Sequence, residues 1–177
     1  MPTICLITGP AGVGKSSVAK YLADQIARSA YVNVDYLREM VMGGYVLPWP
    51  SSEEATIQTR LGAENACAMA KNFLSNGFSV FIDDVIGENL FNLYRQILGP
   101  ELRVFLLLPS KTTLLERFDN RGNDKELRAR TEELYDKFVS RKDKLSWEVI
   151  DTSKQSLKET GDEILRKLLP GGETAGT

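Results

Sequence analysis

The chain has 177 residues, of which 42% are hydrophobic and 26% charged, and it carries a formal net charge of −2. This length and composition fit one soluble globular domain with a substantial core. The slightly acidic balance argues against a broad nucleic-acid-binding face, although it is compatible with a local basic pocket.

No apolar run approaches the length of a membrane span, and the N-terminus has no signal-peptide pattern. Cys5 and Cys67 fall in a predicted strand and a predicted helix, so we expect two buried, reduced thiols and a cytoplasmic location. The sequence contains no histidine. Any general base is therefore expected to be a carboxylate, and any metal ion is expected to have oxygen ligands rather than a zinc site.

The sequence Gly-Pro-Ala-Gly-Val-Gly-Lys-Ser at positions 9–16 matches the pattern G-x-x-x-x-G-K-[ST]. It lies between a predicted strand over residues 3–8 and a predicted helix over residues 17–28. Backbone N–H groups of such a loop bind phosphate oxygens, and the helix N-terminus adds a favourable dipole. Lys15 is expected to contact the β- and γ-phosphates and Ser16 to ligate Mg²⁺, so the pattern predicts binding of a nucleoside triphosphate with Mg²⁺. The predicted phosphate-binding residues are Gly9, Pro10, Ala11, Gly12, Val13, Gly14, Lys15, Ser16 and Ser17.

A second strand is predicted over residues 30–34 and is followed by Asp35 and Arg38. Ligands of parallel sheets bind beyond the carboxyl ends of the strands, so Asp35 is predicted to lie close to the phosphate loop. There it could orient an acceptor hydroxyl and take its proton, while Arg38 holds the acceptor. The alternative is that Asp35 caps a helix that begins at Tyr36, and the two roles are compatible.

Residues 40–50 contain a Gly-Gly pair and a Pro-Trp-Pro sequence, which exclude a regular helix. Tyr45 and Trp49 either pack onto the domain as part of a connector or form a wall of the acceptor site. A long helix is predicted to begin at Ser51, whose spacing from Glu54 fits a capping box.

Residues 78–84 predict a buried strand that ends in Asp83 and Asp84, as in the Walker-B pattern. Neighbouring residues of a strand point to opposite faces, so one of the two carboxylates is expected to serve Mg²⁺. We assign Asp83 to the metal, together with Ser16, and Asp84 to the acceptor. The reverse order and a pair of acids in a surface turn are the alternatives.

The second half of the chain predicts a helix over residues 88–98, a fully buried strand over 102–108 and a helix after Ser110. Another helix up to about residue 144, a strand over 147–150, a helix over 159–169 and a disordered tail over 170–177 follow. Arg117 and Arg121 are predicted to share one helix face, on a flap that closes over the triphosphate. The alternative is a solvated helical hairpin with ion pairs such as Arg117–Asp124.

Five strands that alternate with helices predict an α/β fold with a right-handed, doubly wound parallel sheet. With these motifs the chain resembles the small P-loop kinases, and it looks closest to their chloramphenicol phosphotransferase-like branch, near shikimate kinase, gluconate kinase and polynucleotide 5′-kinase. The resemblance covers residues 3–169. It is carried by the loop at 9–16, by Asp35 and Arg38, by Ile-Asp-Asp-Val at 82–85, by the arginine pair and by Val-Ile-Asp-Thr at 149–152.

The resemblance implies a P-loop three-layer sandwich with the strand order 2-3-1-4-5 and helices on both faces. It implies a single kinase domain over residues 1–169, with a small helical lid at about 117–130 and an acceptor-side segment at about 36–76. It also implies that ATP is the phosphoryl donor and that Mg²⁺ bridges the β- and γ-phosphates.

For individual residues, the resemblance implies that Asp35 is the base and that Lys15 and Arg121 assist catalysis. It places Arg117 and Arg121 near the adenine and the phosphates, and the loop with Asp151 and Thr152 beside the adenine. The predicted acceptor-binding residues are Asp35, Arg38, Tyr45, Trp49 and Asp84.

The predicted function is therefore transfer of the γ-phosphoryl group of ATP to a hydroxyl of a small molecule, such as an antibiotic or a metabolite. A nucleic-acid 5′-hydroxyl kinase or a nucleotide kinase is the alternative, because the Asp-x-x-Arg spacing also suits it. A regulatory NTP-binding module or a GTPase is a third reading, since residues 84–87 fit D-x-x-G, but the sequence has no N-K-x-D motif. Residues 43–50 match no acceptor pocket of the resembled family, so the acceptor itself is not predicted.

Overall fold

The structure of the chain is a computed structural model, and it describes residues 2–120, 122, 125–143 and 145–169. Arg121, Asp124 and the predicted tail over 170–177 lie outside the described residues. In the first half of the chain, the elements are β1 (Ile4–Thr8), α1 (Lys15–Asp24), β2 (Ser29–Asn33), α2 (Val34–Glu39), α3 (Glu53–Ser75) and β3 (Ser79–Asp83). In the second half, they are α4 (Glu88–Leu98), β4 (Arg103–Leu107), α5 (Lys111–Asp119), α6 (Lys125–Arg141), β5 (Glu148–Ile150) and α7 (Leu157–Leu168).

The five strands form one parallel sheet in the order β2-β3-β1-β4-β5, which confirms the predicted topology. In the register of the sheet, Asp83 pairs with Ile7 of β1 on one side and with Asn33 of β2 on the other. The carboxyl ends of these three strands therefore meet, and the loops that follow them converge at one edge of the sheet.

The sheet is covered by helices on both faces, as expected for a parallel sheet with a three-layer fold. On one face, Leu6, Ile82 and Leu106 pack in a cluster with α3 and α4; on the other, Cys5 and Ile7 pack in a cluster with α1 and α7. Side chains of a strand alternate between the faces, so the central strands read as continuous apolar runs. Both cysteines are buried and unpaired, as predicted.

Two predicted helix starts are wrong. The side chain of Ser52, not of Ser51, accepts the N-terminal hydrogen bond of α3, from the amide of Ala55. Likewise the side chain of Asn33 caps α2 by accepting from the amide of Tyr36. Asp35 therefore lies in the first turn of α2, and its carboxylate does not cap the helix.

Other boundaries differ by a few residues. The first helix ends at Asp24 rather than near residue 28, while α4 spans the predicted residues. Residues 41–52 form no helix or strand, as the Gly-Gly pair and the prolines predicted. Among the residues that the structure describes, no helix has both the length and the apolarity needed to cross a bilayer.

Candidate active site

The phosphate loop connects β1 to α1 and is held by close backbone contacts. Gly9 has φ of 144°, and a Cβ at this position would lie 2.5 Å from the carbonyl oxygen of Leu107 at the end of β4. Gly14 adopts the left-handed conformation at the N-cap of α1, where no side chain accepts from the helix. The first amides of α1 are therefore left to bind an anion. Lys15 extends along the loop, and its Nζ donates to the carbonyl oxygen of Pro10 at 3.2 Å.

A hydroxyl and a carboxylate meet directly below this loop. Ser16 Oγ donates to Asp83 Oδ2 at 2.5 Å, and the same oxygen accepts from Tyr31 Oη at 3.2 Å and Asn33 Nδ2 at 3.1 Å. Mg²⁺ prefers oxygen ligands and is usually held by one or two carboxylates together with substrate phosphates. The residues present therefore fit Mg²⁺, and this contact supports the assignment of the metal to Ser16 and Asp83 rather than to Asp84.

Arg38 links the two other predicted acids. Its guanidinium donates to Asp35 Oδ1 through Nη2 and to Asp84 Oδ1 through Nη1, the latter at 3.4 Å. The side chain of Asp35 is 62% exposed, whereas those of Arg38 and Asp84 are 6% and 0% exposed. The buried Asp84 thus orients the Arg38 guanidinium, and the guanidinium in turn orients the exposed carboxylate of Asp35.

Asp84 is held by donors on every side. Tyr94 Oη donates to its Oδ2 at 2.9 Å, and the amide of Val85 donates to its Oδ1 at 2.8 Å. Burial raises the pKa of the Asp84 carboxyl, while the Arg38 cation and these two hydrogen bonds act in the opposite direction. Burial and the neighbouring Asp84 raise the pKa of Tyr94 well above its usual value, so its hydroxyl remains a donor.

A cavity of about 470 Å³ opens beside Asp35. It is lined by Ala11 of the phosphate loop and by Asp35, Arg38, Ile86 and Glu88. A face of α6, together with Trp49 and Trp147, forms a further wall of the cavity. The predicted acceptor residues thus separate into two groups: Asp35, Arg38 and Trp49 line the cavity, whereas Tyr45 and Asp84 are not among its lining residues.

Trp49 reaches the cavity because α3 holds the irregular segment before it. The buried amide of Gln58 donates to the carbonyl oxygen of Gly44 at 2.8 Å and accepts from the amide of Val46 at 3.0 Å. The guanidinium carbon of Arg130 lies 5.8 Å from the centroid of the Trp49 ring. Trp49 therefore lines the cavity and Tyr45 does not, while a role of either residue in binding an acceptor stays a prediction.

The predicted adenine-side residues also come together in part. Arg117, on α5, donates to Thr152 Oγ1 at 3.2 Å and to the carbonyl oxygen of Thr152 at 2.8 Å. Asp151 is exposed, and hydrogen bonds from the amide and hydroxyl of Ser153 lower the pKa of its carboxyl. The predicted role of Arg121 and the alternative ion pair between Arg117 and Asp124 involve residues outside the described ones.

Several site residues were missed at the sequence level. Tyr31 and Asn33 lie two residues apart on β2, so both side chains point to the face on which they reach Asp83. The predicted strand and the strand order together could have indicated this contact. Tyr94, Gln58 and Trp147 carried no signal, because their positions depend on how α4, α3 and β5 pack.

A glycine-rich loop, a serine–aspartate pair below it and this strand order together define a P-loop nucleotide-binding domain. The sequence model of a family described as an AAA domain matches residues 5–146. The chain belongs to this family.

Solved structures that share the fold include kinases and a resistance protein. A gluconokinase from Sinorhizobium meliloti aligns over 94% of this chain and 91% of its own, at 19% identity and a TM-score of 0.67. Shikimate kinase from Acinetobacter baumannii aligns over 98% and 96%, at 20% identity and a TM-score of 0.65. The tunicamycin resistance protein of Deinococcus radiodurans aligns over 95% and 96%, at 17% identity and a TM-score of 0.71. A search of curated protein sequences found no significant match.

Proposed function

We propose that this chain is an ATP- and Mg²⁺-dependent phosphotransferase that moves the γ-phosphoryl group to a hydroxyl of a small molecule. The observation that carries the proposal is that Asp35 and the phosphate-loop residue Ala11 line one cavity. A cavity of about 470 Å³ has the size of a small-molecule site. Structures with this fold include a gluconokinase and a shikimate kinase in complex with shikimate, and kinases of small molecules agree with this class of reaction.

In the proposed step, the oxygen of the acceptor hydroxyl forms a bond to the γ-phosphorus as the bond from that phosphorus to the β–γ bridging oxygen breaks. The hydroxyl proton passes to the Asp35 carboxylate, and ADP leaves. Arg38 orients Asp35 through its hydrogen bond to Oδ1, and the exposed carboxylate is open to an acceptor. Lys15 and the amides of the loop bind the phosphates.

Ser16 and Asp83 would hold Mg²⁺, which when bound offsets the charge of the β- and γ-phosphate oxygens. On the nucleotide side, we propose that Arg117 and Thr152 lie beside the base, since their hydrogen bonds join α5 to the end of β5. A lid over about residues 117–130 and a catalytic role for Arg121 stay predictions.

The test is release of ADP from Mg·ATP, with and without hydroxylated acceptors: antibiotics, sugars, shikimate-like acids, nucleosides and a 5′-hydroxyl oligonucleotide. We expect one small-molecule class to stimulate release strongly. With that acceptor, Asp35→Asn should lower kcat by about 10²–10⁴-fold and leave the affinity for ATP unchanged, because it removes the proton acceptor only.

Glu39→Gln is the matched control, since it removes an exposed carboxylate from the same helix outside the cavity. Near-normal turnover of Asp35→Asn would remove Asp35 as the base. Stimulation by the oligonucleotide alone, with binding that weakens steeply as salt rises, would instead establish the nucleic-acid 5′-kinase.

A further inference from the structure

The α6 wall of the cavity has an unusual composition for an acidic chain. Arg130, Leu134, Lys137, Phe138 and Arg141 all line the cavity and recur at helical spacing, so one face of α6 is both cationic and apolar. Four basic and two acidic side chains line the whole cavity, although the chain as a whole carries a net charge of −2. Positive charge is therefore concentrated in the cavity.

The basic residues that line the cavity differ in how they are neutralised. Arg130 and Lys137 share one carboxylate, Glu133, at 2.9 and 2.5 Å. Arg141 has no ion-pair partner among the described residues, and Arg38 is already held by Asp35 and Asp84. The α6 wall thus keeps a surplus of positive charge that an anion could offset.

A second, independent observation points to a ligand beside the same wall. Trp147 lines the cavity, its side chain packs against Phe91 and Phe138, and the residue is only 6% exposed. Among the residues that the structure describes, its Nε1 is the one buried side-chain nitrogen or oxygen without a hydrogen-bond partner. Buried donors of this kind are nearly always satisfied, so the expected partner is an acceptor atom that the described residues do not supply.

We infer that the acceptor carries an oxyanion, held by Arg130 and Arg141, a polar atom that accepts from Trp147 Nε1, and an apolar body that packs against Trp49 and Phe138. Its hydroxyl then lies at Asp35, which lines the same cavity. A carboxylate and a phosphate monoester both match a guanidinium, so the chemistry named here is a hydroxylated, amphipathic oxyanion. This inference rests on the proposed function, because it takes the cavity as the acceptor site.

The chain itself supplies the readout for a binding test. It contains two tryptophans, Trp49 and Trp147, and both line the cavity. Intrinsic fluorescence therefore reports directly on occupancy, with no need for ATP or for turnover. The probes are matched pairs that differ in charge: mandelate and mandelamide, tropate and tropamide, pantothenate and panthenol, and benzyl phosphate and benzyl alcohol.

We expect anions of the panel to change the fluorescence and to bind about tenfold or more tightly than their neutral partners, as charge-assisted hydrogen bonds do. The double variant Arg130→Gln/Arg141→Gln should abolish this preference by weakening the binding of the anions far more than that of their neutral partners. The control is Arg166→Gln, an exposed arginine of α7 outside the cavity, which should keep the preference.

Equal affinity of charged and neutral partners, an unchanged preference in the double variant, or no fluorescence change across the panel would each overturn the inference. The pairs also separate the two sources of the anion, since benzyl phosphate reports on phosphate and the other acids on carboxylate. Neutral acceptors that alone stimulate ADP release would refute this inference and keep the kinase. Anions that bind in the cavity while no acceptor stimulates release would refute the kinase and keep the anion site.

Discussion

At the scale of single residues, the orientation of Asp35 depends on a glycine in another helix. A Cβ at Gly62 of α3 would lie 2.7 Å from Cγ of Arg38 and 3.3 Å from Cγ1 of Val34. The glycine thus lets the aliphatic part of Arg38 pass close to α3, which brings its guanidinium between Asp84 and Asp35. Contacts far from the phosphates are therefore expected to act on catalysis through Arg38.

Gly62→Ala tests this dependence. Alanine favours an α-helix over glycine by about 1 kcal/mol, but overpacking in a buried contact costs about 1–3 kcal/mol. We expect net destabilisation in urea unfolding, and a fall in kcat with an unchanged affinity for ATP. Gly43→Ala is the control, because a Cβ there meets nothing within 4 Å. A variant that is more stable and fully active would contradict the role of Gly62.

Tyr94→Phe removes the hydroxyl that donates to Asp84. The buried carboxylate then loses a partner, and we expect a loss of about 1–3 kcal/mol in the free energy of unfolding. Tyr135→Phe is the matched control, since the Tyr135 side chain packs against the core but its hydroxyl makes no hydrogen bond to a described residue. Equal effects of the two substitutions in denaturant titrations would show that the Tyr94 hydroxyl adds nothing.

These residues also show what the sequence could predict about the site. Lys15, Ser16, Asp35 and Asp83 follow from motifs and from strand ends, because local spacing places them at one edge of the sheet. The partner of Asp84 could not be foreseen, since Tyr94 lies ten residues away on a helix whose rotation is set by packing. For the same reason, the contact between Asp84 and Arg38 could not be foreseen.

At the scale of elements, tertiary packing rather than the local capping motif decides where α3 begins. The capping-box spacing favoured Ser51, yet Ser52 caps the helix. With the start at Glu53, the buried positions of α3 include Ala55, Gln58 and Gly62, which hold the 44–46 segment and contact α2. Two adjacent serines offer almost equal caps, so these buried contacts decide between them.

Substitution of each serine separates the two possibilities. Ser52→Ala should lower the free energy of unfolding by about 1 kcal/mol, because it removes the acceptor for the amide of Ala55. Ser51→Ala should change it by less than about 0.5 kcal/mol, as expected for an exposed residue without such a role. A larger loss for Ser51→Ala, measured by thermal or urea unfolding, would place the cap where the motif predicted it.

At the scale of the whole molecule, each of the two apolar clusters on either side of the sheet contains one cysteine thiol. Cys5 belongs to the cluster shared with α1 and α7, and Cys67 to the cluster shared with α3 and α4. Burial raises the pKa of both thiols, that of Cys67 to about 12. The thiolate is the reactive form, and its fraction is very small when the pH lies well below the pKa. A raised pKa therefore suppresses the reaction of both thiols near neutral pH.

We therefore expect neither thiol to react with a disulfide reagent at pH 8 in the native state, and both to react once the chain unfolds. The variants Cys5→Ala and Cys67→Ala leave one reporter for each cluster. If the chain unfolds as one cooperative unit, the two labelling rates rise together with denaturant. Rapid labelling of one thiol in the native state would show that its cluster opens independently.

The strand order was predictable only through the resemblance to P-loop kinases, because alternation of strands and helices does not by itself order a sheet. The burial of both sheet faces, by contrast, followed directly from the apolar runs. The cationic wall of α6 was not foreseen, since it depends on the packing that brings this helix to the same cavity as Trp49 and Trp147.

The close contacts between the phosphate loop and the residues around it have a thermodynamic consequence. Gly9 lies against the carbonyl oxygen of Leu107, and Gly12 approaches the ring of Phe118, so contacts within the protein already define the curve of the loop. The loop residues therefore lose their conformational entropy when the chain folds. Binding of a triphosphate does not carry this free-energy cost a second time. Nucleotide binding should accordingly show a small change in heat capacity, in contrast to loops that order only around their ligand.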